Sequence, residues 1–243
     1  MRKLLEIAAD GVRSAVAAEA GGGDRIELCA GLGEGGITPS HGVIAATRDA
    51  VKIPIFVLIR PRNGDFLYDA REIEAMCSDI RNCAALGCEG VVIGALDADG
   101  AIDMDACRAM VDAANGLEIT FHRAIDAVAN RAQALEQIID LGCSRILTSG
   151  GARSAPEGAA AIAESMRQAA GRIVILPGTG INAGNLGELV ARTDGHEFHA
   201  SARGVVHSPM HYRNPALEGL SVDWQDTDAA RVRVLRGILD AVE

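Results

Sequence analysis

His122 has the side chain in this sequence best suited to proton transfer, because an unperturbed imidazole titrates near neutral pH. It lies in the run Thr-Phe-His-Arg-Ala, at the end of a strand-like stretch. Glu6 and Glu27 lie in similar runs earlier in the chain, and Asp126 follows His122 by four residues. Carboxylates can orient an imidazole or accept its proton. We therefore predict that Glu6, Glu27, His122 and Asp126 are acid–base residues, with a purely structural role for His122 as the alternative.

A second group of residues could hold a negatively charged ligand. Arginines follow two of the strand-like stretches, and three successive loops in the second half of the chain are rich in Gly and Ser. Guanidinium groups and bare backbone N–H groups both bind phosphate and carboxylate. The alternative for the glycines is steric relief in tight turns. The predicted anion-binding residues are Arg60, Arg62, Asp65, Arg123, Ser149, Gly150, Gly178, Gly180, Ser201 and Arg203.

The signals for a metal or an organic cofactor are weaker. The six cysteines are scattered without a Cys-x-x-Cys pair, and strand alternation directs one of them, Cys29, into the interior of the predicted fold. A thiolate near imidazole suits Cu(I), so Cys29 is the candidate copper ligand, with a buried inert thiol as the alternative. Residues 178–183 fit a dinucleotide-binding pattern only loosely, and no organic cofactor is predicted.

These side chains must be positioned by a repeat in which a short β-branched run precedes an Ala-rich amphipathic stretch. The strand-like runs are Leu4–Ala9, Arg25–Ala30, Ile55–Arg60, Val91–Asp97, Glu118–Ala124, Arg145–Ser149, Ile173–Pro177 and His196–Ser201. One-sided apolar patterns predict helices over Tyr68–Leu86, Arg131–Leu141 and Asp226–Val242. Eight such units favour a single-domain (β/α)8 TIM barrel of the α/β class over an open doubly wound sheet. Residues 203–225 are predicted to form a long loop before the last helix.

Alternation along each strand predicts which side chains enter the barrel. Ile119 and Phe121 suit the helix layer, for example, so Thr120 and His122 point inward. Buried charges are costly unless paired, so the inward set forms either a sealed network or the floor of a site. Because the charges come from separate strands, we predict an open polar pocket where the strands end. The inward set is Glu6, Glu27, Arg60, His122, Thr148, Glu197, His199 and Ser201.

The composition narrows the possible partners. Of the 243 residues, 33 are Asp or Glu and 23 are Lys or Arg, which gives a net charge of −10. Such an acidic chain is a poor match for nucleic acid or for anionic membranes. The first apolar run contains Glu6 and Asp10, so it does not read as a signal peptide. These features predict a cytoplasmic protein with free thiols.

Several motifs together resemble those of the CutC family, collinearly from Leu4 to about Asn214. They are Asp24–Cys29, Glu34–Ser40, Ile59–Arg62 with Gly64–Phe66, Thr120–Ala124 with Asp126, Leu147–Gly150 and Ser208–Asn214. The resemblance implies a cytosolic TIM barrel, usually oligomeric, with a role in copper homeostasis. It also implies that the family's residues carry over at Glu27, Cys29, Arg60, Arg62, Asp65, His122, Arg123 and Asp126. Thr179 departs from the family pattern, in which Gly is often found.

Two functions follow, and the sequence leaves both open. The first is a copper-handling protein that binds Cu(I) through Cys29 or other thiols, as the resemblance implies. The second is an enzyme acting on a small phosphorylated or carboxylated substrate, with His122 and the inward carboxylates as acid–base groups. The expected partner is accordingly Cu(I) or a small anion, and a homo-oligomer is expected, with a dimer favoured.

Overall fold

Strands and helices alternate along the chain as the repeat predicts. The computed structural model describes residues 2–214, 216 and 221–242. Within these ranges the strands are β1 (Leu4–Asp10), β2 (Arg25–Cys29), β3 (Ile55–Leu58), β4 (Gly90–Ile93), β5 (Glu118–Phe121), β6 (Arg145–Thr148), β7 (Val174–Pro177), β8 (Glu197–Ala200), β9 (Arg203–Val206) and β10 (Trp224–Thr227). The α-helices there are α1 (Val12–Ala20), α2 (His41–Ala50), α3 (Ala70–Ala85), α4 (Met104–Ala114), α5 (Arg131–Asp140), α6 (Ala159–Ala169), α7 (Leu186–Thr193) and α8 (Ala229–Asp240).

Strands β1 to β8 form one parallel sheet in the order β7-β6-β5-β4-β3-β2-β1-β8. In register, Glu6 of β1 lies opposite Arg25 of β2 on one side and His199 of β8 on the other. A bridge between Gly178 and His199 connects the two ends of the sheet, which curls into a nearly closed barrel. The prediction of a (β/α)8 TIM barrel is therefore confirmed.

Capping residues set where the predicted helices begin. Asp69 accepts hydrogen bonds from the backbone N–H groups of Arg71 and Glu72, and the Glu72 side chain accepts one from the Asp69 N–H. This capping box makes α3 begin at Ala70 rather than at Tyr68. Helix α8 likewise begins after its cap, Asp228, so it starts three residues later than predicted.

The two faces of the barrel strands bury different kinds of side chain. The outward residues of β1, β2, β5 and β8 join a large aliphatic core between the sheet and the helices. These include Ile7, Leu28, Phe121 and Phe198, as alternation predicts. A smaller interior cluster consists of Cys29, Phe56, Leu58 and Val92. Most of the remaining interior is polar, and the candidate site lies there.

Thr148 was predicted to point inward, and that prediction is wrong. Arg145 and Leu147 of β6 face the interior, whereas Ile146 belongs to the outer core. Thr148 shares the phase of Ile146, and its hydroxyl donates to Asp126 Oδ1 at 2.5 Å. The register of β6 is thus one residue away from the predicted one.

The predicted long loop over 203–225 is also corrected, because it contains regular structure at both ends. Strand β9 pairs antiparallel with β10, with Val206 opposite Trp224. Ser14 of α1 anchors β10 through its side-chain hydrogen bonds with Asp226 and with the Thr227 N–H. Positions 215 and 217–220 of the predicted loop lie outside the described residues. No helix in the described ranges has the length and apolar character needed to cross a membrane.

Candidate functional site

The barrel interior holds two levels of polar side chains. The level nearer the strand beginnings, here the lower layer, consists of Glu6, Arg25, Arg145 and Glu197. Arg25 Nη2 and Arg145 Nε both donate to Glu197 Oε2, at 2.6 and 3.0 Å, and Arg25 Nε donates to Glu6 Oε2. Both guanidinium groups lie over the ring of Phe56, at 5.1 and 5.0 Å from its centre. The charges of the lower layer are therefore paired with one another.

Glu6 shows the electrostatic result of this pairing. Burial alone would raise its pKa, but the charge of Arg25 and the hydrogen bond from His199 lower the pKa to about 2. The carboxylate is thus held ionised at all ordinary pH values. It was predicted as an acid–base residue, but it does not line the cavity described next.

A cavity of about 550 Å³ opens at the strand ends, above the lower layer. Its wall includes the set that we call the upper layer: Glu27, Arg60, His122, His199 and Arg203. Arg123, Gly180 and Ser201 are also on the wall, so the structure brings together seven of the predicted site residues. The other predicted site residues lie off the wall: Glu6, Cys29, Arg62, Asp65, Asp126, Ser149, Gly150 and Gly178.

His199 is the residue that sequence reasoning placed inward without giving it a role. Its Nδ1 lies 2.7 Å from Glu6 Oε1 and its Nε2 lies 3.7 Å from Glu27 Oε2, so it connects the two layers. Burial opposes its charge, but the two carboxylates raise its pKa overall. The signal that could have found it was alternation in β8, together with the pairing of β8 with β1 that barrel closure requires.

Glu27 differs from the lower-layer carboxylates in lacking a guanidinium partner. Its side chain is buried, and among the described residues its one ion-pair contact is with His199. Burial raises the pKa of Glu27 to about 7, with His199 acting against that rise and Glu6 adding to it. Glu27 can therefore exchange a proton near neutral pH.

His122 is held as a neutral imidazole. Its Nδ1 accepts a hydrogen bond from the Ala124 N–H at 3.1 Å, which leaves the ring proton on Nε2. Burial first, and then the charge of Arg60, lower the pKa of His122 to about 3. Nε2 has no partner within the described structure. The ring packs on Phe66 and against Gly94, where a Cβ would lie 2.5 Å from the imidazole.

Arg60 and Arg203 are the cavity arginines that lack carboxylate partners among the described residues. Arg60 is buried and donates to the backbone carbonyls of Gly36 at 2.9 Å and Gly64 at 2.7 Å. The buried Nε atom of each arginine has no acceptor in the described part of the chain. Two positive charges therefore face the cavity without a neutralising side chain.

Other predicted residues build the loops that frame the cavity. Asp126 accepts from the N–H groups of Ser149 and Gly151 and from Arg123 Nε, each at 2.9 Å, and so fixes the turn after β6. Burial opposes its charge, but these donors and the Thr148 hydroxyl lower its pKa. Arg62 pairs with Glu72 at 2.6 Å and with Asp65 at 3.1 Å, which tethers the loop after β3 to α3. These contacts give Asp126, Arg62 and Asp65 a positioning role.

Cys29 is fully buried in the interior cluster and donates weakly to the Ala9 carbonyl at 3.6 Å. Burial, reinforced by the charges of Glu27 and Asp10, raises the pKa of its thiol well above the usual range. A cysteine binds a metal ion as the thiolate, so this environment opposes metal binding at Cys29. Within the described residues, no group of three or more His, Cys, Asp or Glu side chains is arranged to hold a metal ion.

Fold and cavity together define a TIM-barrel protein with a polar site at the carboxyl ends of its strands, where barrels of this class place their ligands. The chain belongs to the CutC family, whose model matches residues 3–204. The resemblance found in the sequence is thereby confirmed.

Individual relatives agree with this assignment. The chain is 52% identical over 235 residues to the family protein CutC of Xanthomonas campestris pv. campestris strain 8004, covering 97% of this chain and 98% of that one. It is 47% identical over 241 residues to a human protein named copper homeostasis protein cutC homolog, covering 97% and 88%. The crystal structure of CutC from Streptococcus agalactiae matches with a TM-score of 0.78 at 30% identity, covering 82% of this chain and 98% of that chain.

Proposed function

We propose that this protein takes part in copper homeostasis, the role given in the name of its human relative. The proposal is carried by the 47% identity that extends over 97% of this chain. It concerns the cellular process in which the protein works. The side chains of the cavity indicate which chemistry the protein contributes to that process.

Direct capture of Cu(I) is the first possible chemistry. It would use Cys29, the ligand predicted from the sequence, and Cu(I) would then be the cargo. The buried thiol with its raised pKa does not fit that task. We therefore propose that the contribution to copper homeostasis does not run through metal bound at Cys29.

Binding of a small anion in the cavity is the second candidate chemistry, and the observation that favours it is the unpaired state of Arg60 and Arg203. Of the two, Arg60 is buried, and a buried guanidinium without a carboxylate is costly unless a ligand supplies the negative charge. Gly180, with a φ of +75°, lets the backbone after β7 approach such a ligand closely. The ligand class that fits is a small phosphorylated or carboxylated molecule.

Separate binding measurements with phosphate and with Cu(I) distinguish the two chemistries. Isothermal titration calorimetry with inorganic phosphate should show that Arg203→Met weakens binding at least tenfold, because one charge-assisted contact is lost. The matched control is Arg108→Met, an exposed arginine paired with Asp105, which should leave binding unchanged. Equal phosphate affinity in both variants would contradict the anion site.

Copper is tested in the same preparations. Cys29→Ser should not change the affinity for Cu(I) measured against a chromogenic chelator, because the buried thiol is not expected to bind the metal. A clear loss of Cu(I) affinity on that change would instead assign the copper role to Cys29.

We also propose that the protein works in the cytoplasm as a homo-oligomer, with a dimer favoured. All six cysteines are free and buried, which suits a reducing compartment. Val205 on β9, Trp224 on β10 and Val222 just before β10 are exposed apolar side chains, and together they form a surface suited to a second copy. Light scattering coupled to gel filtration would test this, and a monomer across micromolar concentrations would contradict it.

A further inference from the structure

The upper layer separates charges that the lower layer pairs. Glu27 has no guanidinium partner, and Arg60 and Arg203 have no carboxylate partner, within the described structure. All three line one cavity of about 550 Å³. Buried charges normally persist only when something compensates them. The arrangement fits a ligand that has an anionic group at one end and a group that gives up a proton at the other.

We propose that the cavity catalyses proton transfer at a carbon next to a carbonyl group in a small phosphorylated or carboxylated substrate, with Glu27 as the base. This inference rests on the anion-binding half of the proposed function. Arg60 and His122 bind the carbonyl oxygen, and Arg203 binds the anionic group. His199 is a positioning residue that orients Glu27.

Glu27 is placed to act as a base because its carboxylate is buried yet borders the cavity. His199 Nε2 lies 3.7 Å from Glu27 Oε2, and its Nδ1 lies 2.7 Å from Glu6 Oε1. The neighbouring strand β3 places Phe56 beside Glu27 in register, which adds no competing charge. A carboxylate held on one side and open on the other can approach a substrate C–H.

His122 and Arg60 supply what the carbonyl oxygen needs as it becomes negative. The His122 ring is only 4% exposed and borders the cavity, and its Nε2–H has no acceptor in the described chain. Its Nδ1 is fixed by the Ala124 N–H, so the ring cannot switch to the other tautomer without losing that bond. Preorganised donors of this kind stabilise a developing oxyanion because they need no reorganisation during the reaction.

The step is balanced without any co-reactant. Glu27 removes a proton from the carbon, the C–H electron pair forms the carbon–carbon double bond of the enolate, and the carbonyl π pair moves to the oxygen. Arg60 and His122 stabilise that oxygen by hydrogen bonding. Reversal returns the proton from Glu27 to carbon, and a deuteron from solvent replaces it if Glu27 exchanges first. No oxidant or reductant is consumed.

Solvent exchange tests the proposal with defined probes. Dihydroxyacetone phosphate and hydroxypyruvate each carry an anionic group and a carbonyl with an adjacent C–H. Proton NMR in D2O should show protein-dependent loss of those C–H signals with at least one probe. Glu27→Gln should lower the exchange rate at least 100-fold, since a general base contributes about 10²–10⁴-fold.

The matched control is Glu74→Gln, which removes an exposed carboxylate of α3 outside the cavity lining and should leave the rate unchanged. His122→Leu provides a second loss of exchange at a different element, and thermal melts establish that each variant is folded. A contaminating enzyme would give equal rates in Glu27→Gln and in the unmodified protein. The proposal would be overturned if Glu27→Gln and the unmodified protein exchanged at equal rates with both probes, or if neither probe exchanged at all.

Phosphate titration of the same samples separates this inference from the proposed function. If phosphate binds in an Arg203-dependent way and no exchange occurs, the proton-transfer inference fails and the anion site stands. If phosphate binding itself is independent of Arg203, the anion-binding proposal fails as well.

Discussion

The two layers of the barrel interior use the same residue types with opposite outcomes. In the lower layer, Arg25 and Arg145 share Glu197, and Arg25 also binds Glu6. In the upper layer, Glu27 and Arg60 border the same cavity and neither meets an opposite charge among the described arginines and carboxylates. The charged interior of this barrel therefore has two parts. The lower part is a network of paired charges, and the upper part is a cavity bordered by unpaired charges.

The physical difference lies in what satisfies each charge. Paired buried ions offset the cost of leaving water only when the geometry is good and further hydrogen bonds are made, as they are around Glu197. In the upper layer part of the desolvation cost is not offset by pairing. This is why the pKa of Glu27 is raised to about 7. Unpaired charges in a cavity are more typical of function than of stability.

Breaking the lower layer should have the largest effect. Arg25→Met keeps the side-chain volume but leaves Glu6 without its guanidinium and Glu197 with Arg145 alone. Removing one partner of a buried ion pair costs about 3–5 kcal/mol, so the free energy of unfolding should fall by that amount in urea titrations followed by circular dichroism.

The control for this measurement is Arg108→Met, whose exposed pair with Asp105 should contribute less than about 0.5 kcal/mol. A loss under about 1 kcal/mol for Arg25→Met would mean that the lower layer is held by packing on Phe56 rather than by charge pairing.

The upper layer should respond in the opposite direction. The pKa of Glu27 is raised from 4.5 to about 7 in the fold, so ionisation of this group destabilises the native state as pH rises through that interval. Glu27→Gln removes the cost and should raise the free energy of unfolding by roughly 1–3 kcal/mol at pH 8, with the gain shrinking toward pH 5. Thermal melts at both pH values measure it. A variant that is destabilised at pH 8 would show that Glu27 has a compensating partner.

The sequence predicts the barrel and its faces because both depend on local periodicity. Alternation assigned Glu27, His122 and His199 to the interior, and strand ends meet by geometry in any (β/α)8 barrel. It failed at Thr148, because Ile146 and Leu147 of β6 are both apolar and so do not mark which face of that strand is inward.

Pairing between distant residues was beyond sequence reasoning. Arg25 was not predicted to point inward, yet it binds Glu6 and Glu197, which are 19 and 172 residues away along the chain. Asp126 was predicted as an acid–base residue, but its oxygens are taken up by the loop after β6. Nothing local distinguishes a carboxylate that holds a turn from one that faces a ligand.

The smallest expected effect concerns backbone strain beside the cavity. Five described non-glycine residues have positive φ angles. Asn115, Ala170 and Asp194 end helices, where a left-handed residue is common. Thr179 (φ +77°) and Ala202 (φ +47°) instead lie in the loops after β7 and β8, which border the cavity.

Thr179 is the more strained of these two because it is β-branched. Its carbonyl accepts from the Ala155 N–H at 2.9 Å, so the neighbouring loop holds it in place. Thr179→Gly should relieve about 1–2 kcal/mol of strain, offset by about 0.4–1 kcal/mol from the freer unfolded chain, for a net gain between about 0 and 1.6 kcal/mol. Gly180→Ala supplies the opposite control, because its Cβ would lie 2.7 Å from Ser154 Cβ and φ is +75°. If urea titration shows Thr179→Gly to be destabilising, the Thr179 side chain makes compensating contacts and the loop after β7 is less strained than its φ angle indicates.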